Sequence, residues 1–288
     1  MSHPSAMQLE QSAALGAATE YLTDKDAREL RVRAARRDVT ERRRIADRLK
    51  QAVQQNGFLL HYQPFIDLKS GVMQGAEASI RLQHRRRGLI LPHHFMPVAE
   101  RFDVINDIGA WILRHTCADA ATWPASYAVA VRLAHRQLRS GLLIKHLIEA
   151  LAASGIASER LELGLSEAML IDDDADTVFT IKALASLNVR LALIDFGAHH
   201  ARLAALKRLP LSTLKLDRSL TQRLGLDHGD TAIVHAAVEA GHAMGCTVLA
   251  DGVESEAQCR LLTDIGCDEA QGSYFGHPIT ANELQLKI

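Results

Sequence analysis

Acidic, basic and amide side chains recur at the ends of short apolar runs along this chain. Gln63 follows LLHY, Glu77 and Arg81 belong to GAEASIRL, and Arg132 ends YAVAVR. Glu162 lies in RLELGL, Asp195 ends VRLALID, Lys215 and Asp217 end TLKLD, Asp251 and Glu254 follow CTVLA, and Gln271 lies in AQGSYFG. Carboxylates delivered by different strands suit two-metal hydrolysis of a phosphodiester. Mg²⁺ and Mn²⁺ take hard oxygen donors, and a second ion holds the attacking water opposite the leaving oxygen. Any one of these residues also fits a salt bridge or a solvated loop; it is the set that points to a site. The 14 histidines offer no zinc alternative, because no HExxH pattern or comparable convergence occurs. His84, His199 and His200 read as surface or helix-start residues.

The elements that carry these groups alternate. Eight runs read as strands, at 59–66, 76–82, 127–134, 160–165, 189–196, 213–219, 246–253 and 270–276. Most are separated by stretches with apolar residues three and four apart, the pattern of helices covering a mostly parallel sheet. The first two runs are joined only by the turn DLKSG. Eight such repeats in this length favour a closed (β/α)8 TIM-like barrel, an α/β fold, whose strand ends converge at one mouth. No Gly-rich phosphate fingerprint follows an early strand, which argues against an open dinucleotide-binding sheet.

Upstream, residues 1–41 read as an N-terminal extension, helical or partly disordered, and residues 42–288 as the barrel domain. Asp38 followed by Glu41 resembles a helix start, and Ile45, Leu49 and Val53 form one apolar stripe on a charged helix. The runs RVRAARR and ERRRIADR carry no accompanying aromatic residues and are interspersed with acids, so they read as a solvated face rather than a nucleic-acid surface. The loop Arg85-Arg86-Arg87-Gly88 reads likewise as solvated.

Composition narrows the setting. Of 288 residues, 33 are Lys or Arg and 34 are Asp or Glu, so no positive field points to nucleic acid. Hydrophobic residues make up 48%, enough for a sizeable core. The four cysteines show no CxxC pair, which fits a reduced, cytoplasmic compartment, and no apolar run approaches a membrane span. Near-zero net charge leaves self-association open.

Several ordered blocks resemble the EAL-type cyclic di-GMP phosphodiesterase domains over residues 42–286. The segment HYQPFIDLKSGVMQGAEASIRL resembles the family's opening Tyr-Gln-Pro segment and its Glu-Ala-Leu signature, here Glu77-Ala78-Ser79. LPHHFMPVAERFDVINDIGAWIL, LKLDRSL, LADGVESEAQ and GCDEAQGSYFGHPI resemble later blocks in order. In active members the resemblance implies a metal pair held by the signature Glu, an Asn, a second Glu, two adjacent Asp residues and a further Glu, with a Lys helping to activate water.

Carried over residue by residue, the resemblance implies that Glu77, Glu162, Asp195 and Lys215 are kept, with Glu254 and Gln271 in or beside the pocket. Arg132 stands where the Asn is expected, Ile194 replaces the first Asp of the pair, and Asp251 is a shortened Glu. Gly164-Leu165 replaces the usual Thr-Glu, and the loop reads Phe196-Gly197-Ala198-His199-His200 in place of Phe-Gly-Thr-Gly. The expectation is a catalytically inactive member in which the Arg132 guanidinium supplies charge in place of metal and pairs with Glu77 or Asp195. No cofactor is expected; Mg²⁺ or Mn²⁺ would be required only by an active enzyme. A protein partner or a homodimer is the expected contact. The alternatives are a non-hydrolysing cyclic di-GMP receptor, with Gln63, Glu77, Arg81, Glu254, Gln271 and Pro278 as its candidate contacts, and, ranked below it, a weak cyclic di-GMP phosphodiesterase.

Overall fold

A tight hairpin begins the barrel. The computed structural model describes residues 24–170, 175–198, 206 and 208–288. In it β1 (Phe58–Asp67) and β2 (Met73–His84) run antiparallel, with Gln63 opposite Glu77. Asp67 builds the turn: its Oδ1 accepts from the Ser70 amide and hydroxyl, each at 2.6 Å, and Gly71 adopts φ 70°. Five turn residues are too few for a crossover, which needs a dozen or more, so the second strand reverses direction.

From β2 the sheet continues through parallel strands β4 (Ala128–Arg132), β5 (Leu161–Ser166), β6 (Arg190–Phe196), β7 (Thr213–Leu216), β8 (Thr247–Ala250) and β9 (Glu269–Gln271). The last of these pairs antiparallel with β1 and closes the ring. The expected eight-stranded α/β barrel is therefore formed, with β1 antiparallel to both neighbours. Two short strands lie outside it: β3 (Gly88–Ile90) pairs with β2, and β10 (Ile279–Thr280) pairs with β1.

The connecting helices are α2 (Met96–Arg101), α3 (Ile105–Ala120), α4 (His135–Leu138), α5 (Leu143–Ser154), α6 (Ala175–Ala185), α7 (Arg218–Arg223), α8 (His228–Ala243) and α9 (Glu256–Ile265); α10 (Ala281–Gln285) follows the barrel. Leu161, Leu163, Leu165, Leu191, Leu193, Leu214, Leu216 and Val248 are wholly buried, which accounts for the nearly continuous apolar reading of these strands. The apolar group Phe65, Ala128, Ala130 and Leu249 forms a second, smaller cluster. The run read as strand 213–219 ends earlier, because Asp217 turns out of the sheet and accepts from the Ser219 amide as the cap of α7.

α1 (Asp24–Gln54) begins well before the start read at Asp38. Its 31 residues contain no Gly or Pro, so nothing stops the helix from extending through the Asp38–Glu41 pattern. Beyond its last residue, Gln54, the chain turns at Asn56, φ 52°, with the Gly57 amide donating to the Ala52 carbonyl at 2.8 Å. The chain divides between Arg48 and Leu49 into two units. The readings for residues 1–23, for His199 and His200, and for most of the stretch between the runs 189–196 and 213–219 that falls at 199–207 lie outside the described residues. Cys117, Cys246, Cys259 and Cys267 are all free thiols. Among the described residues no helix is long and apolar enough to cross a membrane.

Candidate functional site

Strand periodicity decides which side chains enter the barrel. Alternate residues of a strand share one face, so β4 sends in Ala130 and Arg132, β5 Glu162 and Gly164, and β6 Ala192 and Ile194. Glu77, Lys215, Leu249 and Gln271 join them from β2, β7, β8 and β9 around one interior space. The seven groups around its mouth, Gln63, Glu77, Arg132, Asp195, Lys215, Asp251 and Gln271, are thus gathered from separate strands.

Glu77 is the hub. Lys215 Nζ donates to its Oε2 and lies 3.4 Å from Asp251 Oδ2 and 3.3 Å from Gln271 Oε1. The Gln271 amide donates to Glu77 Oε2 at 3.1 Å and to Gln63 Oε1 at 3.2 Å, and Gln63 donates to the Gly276 carbonyl at 3.1 Å. On the other side Arg132 Nε stands 3.8 Å from Glu77 Oε1, while its Nη1 donates to Asp195 Oδ2 at 3.0 Å. Burial pushes the Glu77 carboxyl up, but Lys215 and Arg132 outweigh it and hold the group at about 2. For Lys215 burial acts downward, yet Glu77 and Asp251 raise it above the ordinary lysine range.

The end of β6 is irregular. Pairing with β7 shifts register between Leu193 and Phe196, and Asp195 adopts φ 59°, a left-handed conformation uncommon for a residue with a Cβ. That turn leaves Ile194 packed inside the barrel, 4% exposed, against Gly164. A Cβ at position 164 would lie 3.1 and 3.3 Å from the Ile194 Cγ2 and Cδ1 carbons. Glu167, which the sequence reading passed over, holds the next residue but one: its carboxylate accepts from the Gly197 amide at 3.2 Å. Glu167 is buried, and a lone Glu in SEAML does not advertise it.

Glu162 belongs to a separate group. It accepts from Thr213 Oγ1 at 2.6 Å and lies 3.4 Å from Arg190 Nη2. Glu269 shares this field, and burial together with the Glu162 charge raises its carboxyl to about 7. Glu162 thus lines the barrel interior, one inward position before Gly164, without joining the Glu77 network.

A cleft of about 490 Å³ opens beside the hub, lined by Gln63, Glu77, Arg132, Asp251, Gln271 and Pro278 together with an apolar wall. The wall includes Ile80, Met96, Ile112 and Leu133, and the polar His93 and Glu100 face the same space. Met96 and Glu100 are four apart on α2, a spacing that places them on one face and was available to sequence reasoning. The loop after β4 that carries part of this wall is held by Gln137, whose Oε1 accepts from the Ala134 amide at 2.9 Å. Gln137 in turn lies over Gly109, where a Cβ would fall 1.8 Å from its amide nitrogen.

Two of the six candidate ligand contacts are not among the residues lining the cleft. Arg81 is buried and folds back along its own strand, donating to Ser79 Oγ at 2.6 Å and the Ile80 carbonyl at 3.0 Å. Glu254 is exposed and engaged by Arg218 at 3.1 Å and Gln222 at 3.3 Å. His84 accepts from the amides of Arg86 and Arg87, both at 3.2 Å, and closes the basic turn. Among the described residues no group of three His, Cys, Asp or Glu side chains is arranged to hold a metal ion.

Barrel and cleft define an α/β-barrel protein with a polar, partly acidic site among its inward-facing residues. Residues 46–278 match the model of the EAL domain, and the chain belongs to the EAL domain family. It is 36% identical over 248 residues to an uncharacterized signaling protein of Caulobacter vibrioides, covering 86% of this chain and 31% of that one. It is 34% identical over 244 residues to the bifunctional diguanylate cyclase/cyclic di-GMP phosphodiesterase MucR of Pseudomonas aeruginosa, covering 83% and 36%. The chain therefore spans about a third of the length of these relatives.

Among solved structures, the MucR phosphodiesterase in complex with cyclic di-GMP superposes with a TM-score of 0.80 at 34% identity, covering 84% of this chain and 99% of that one. The FimX EAL domain of Pseudomonas aeruginosa bound to cyclic di-GMP gives 0.76 at 25%, covering 82% and 96%.

Proposed function

We propose that this barrel is a catalytically inactive EAL domain, a regulatory module of bacterial cyclic di-GMP signalling that acts by contacting a protein partner or a second copy of itself. The observation that carries this reading is that Arg132 and Lys215 already stand as counter-ions to the carboxylates of the mouth. Glu77 meets both cations, Asp195 meets Arg132 and Asp251 lies against Lys215. The donor set does not fit the pair of divalent ions an active member would use. A guanidinium stands at 132, a hydrocarbon at 194, and Glu162 is committed to Thr213 and Arg190. A permanent cation at a ligand position repels a divalent metal.

A second reading has its own support, that of a non-hydrolysing cyclic di-GMP receptor. The cleft keeps Gln63, Glu77, Gln271 and Pro278 on its surface, and two similar structures are described as bound to this dinucleotide. Against it, the acids Glu77, Glu100 and Asp251 face the cleft with Arg132 as its one Arg or Lys among the described residues, a poor balance for a doubly anionic ligand.

Calorimetric titration of cyclic di-GMP in Mg²⁺, Ca²⁺ and EDTA, with assay of the linear product pGpG, separates the readings. No heat and no product supports the interaction module. Binding that survives EDTA makes the domain a receptor, and metal-dependent product overturns the inactive reading.

A further inference from the structure

We propose that the cleft beside Glu77 is a docking site for a short apolar segment of a protein partner that carries one arginine or lysine; this rests on the interaction-module function above and gives it a surface and a partner chemistry. The cleft exists because β2 outruns its neighbours. β1 pairs with β2 along nearly its whole length, but on the other edge β4 pairs only with Gly75 to Ala78 and β3 only with Leu82 to His84. Ser79 and Ile80 lie in the break between them and line the cleft. Its volume of about 490 Å³ lies within the range of roughly 300–1,000 Å³ typical of ligand pockets.

The rim is apolar and open. Leu59 stands opposite Arg81 and Leu89 opposite Gln83, and residues 81 and 83 alternate to the same side, so both leucines share the sheet face that carries Gln63 and Glu77. Leu59, Leu89 and Leu91 are all exposed, and Leu91 leads directly into Pro92 and His93, which line the cleft. Three exposed leucines beside an apolar cleft wall suit a peptide segment that covers both. A small ligand inside the cleft would leave the leucines in water.

The charge selects a cation. Of the three carboxylates lining the cleft, Glu77 is met by Lys215 and Arg132, and Asp251 lies 3.4 Å from Lys215. Glu100 has no ion pair or side-chain hydrogen bond among the described residues. Arg132, the one Arg or Lys of the lining among the described residues, is engaged by Glu77 and Asp195. Glu100 is half-buried and lies one helical turn from Met96, which lines the same cleft, so its carboxylate stands beside apolar surface. A guanidinium or ammonium on a hydrocarbon stem meets both.

The test is saturation-transfer NMR on the full chain with an acetylated, amidated Leu-Arg-Leu peptide, and with Leu-Glu-Leu and Leu-norleucine-Leu as controls. The arginine peptide is expected to bind and both controls to bind more weakly. E100Q is expected to weaken its binding by roughly threefold to tenfold and E100K to abolish it; L89S/L91S should weaken all three peptides alike. E149Q, which changes an exposed acid on α5, is expected to bind as the wild type does.

No binding of the arginine peptide overturns the proposal, as does equal binding of either control, or a loss in E149Q equal to that in E100Q. Should E100K fail to fold by circular dichroism, E100Q decides: unchanged affinity overturns the proposal and a loss upholds it. Failure here with no dinucleotide binding strikes this site alone, whereas cyclic di-GMP binding in the titration above removes the interaction reading beneath it.

Discussion

Arg132 Nη1 lies 3.0 Å from Asp195 Oδ2, an ion pair that spans β4 and β6 across the intervening strand β5. On that strand Gly164, which has no side chain, is the residue paired with Arg132. The same guanidinium faces Glu77, so one residue ties three strands of the mouth together.

Arg132 is half-exposed, so solvent screens its pairs. R132M is expected to lower unfolding stability by only about 1 kcal/mol, measured by urea denaturation. A loss of the size seen for fully buried ion pairs would show that the guanidinium holds the barrel mouth together in a way the geometry does not explain.

Lys215 differs because it is buried against Glu77. K215M leaves the Glu77 carboxylate with the Gln271 amide and, as its cation, the more distant Arg132, and a cost of about 3 kcal/mol or more is expected. The double variant K215M/E77Q should recover part of this loss, and a denaturation cycle over the four proteins measures the coupling.

Acid should weaken the protein through Glu77. Its folded value of about 2 lies below the ordinary 4.5, so its contribution is present above about pH 5 and is lost as pH falls toward 2. Urea midpoints against pH for wild type and E77Q should converge at the acid end of that range. Parallel curves would show that Glu77 is not held by its cations.

Glu269 has the opposite sign. Its folded value of about 7 lies above 4.5, so the stability tied to its protonated form is present below about pH 4.5 and lost as pH rises through 7. E269Q, which imitates the protonated group, is expected to be more stable than wild type at pH 8 and to show a flatter profile between pH 5 and 8. Equal stability at pH 8 would place the Glu269 carboxylate in water.

Packing between Gly164 and Ile194 makes the last prediction. G164T introduces a Cβ into a gap of 3.1 to 3.3 Å and should cost about 1–3 kcal/mol. I194A should relieve it, so that G164T/I194A is more stable than the sum of the two single changes predicts. Simple additivity in urea denaturation would mean that the two side chains do not share the space.

Local pattern was enough for much of this. The eight barrel strands, the DLKSG hairpin and the acids and amides of Glu77, Asp195, Asp251, Gln63 and Gln271 were legible because period-two alternation and turn chemistry are properties of neighbouring residues. Arg132 and Ile194 lie between the motif blocks, at the ends of the runs 127–134 and 189–196, and were singled out by what the family resemblance implies for those strand ends.

Only the tertiary structure decided who meets whom. The expected pairing of Arg132 with Glu77 or Asp195 forms with both; that it reaches both, across 63 residues in the case of Asp195, depends on strand register and on the left-handed turn at Asp195. Arg81 reads as a site residue yet folds back onto Ser79, while Glu162 is taken by Thr213 and Arg190. Glu167 enters through a bond to Gly197 that no spacing announces. Closing a barrel brings eight distant strand ends to one mouth, and which charges pair there is set by distances of a few ångströms that the order of residues does not encode.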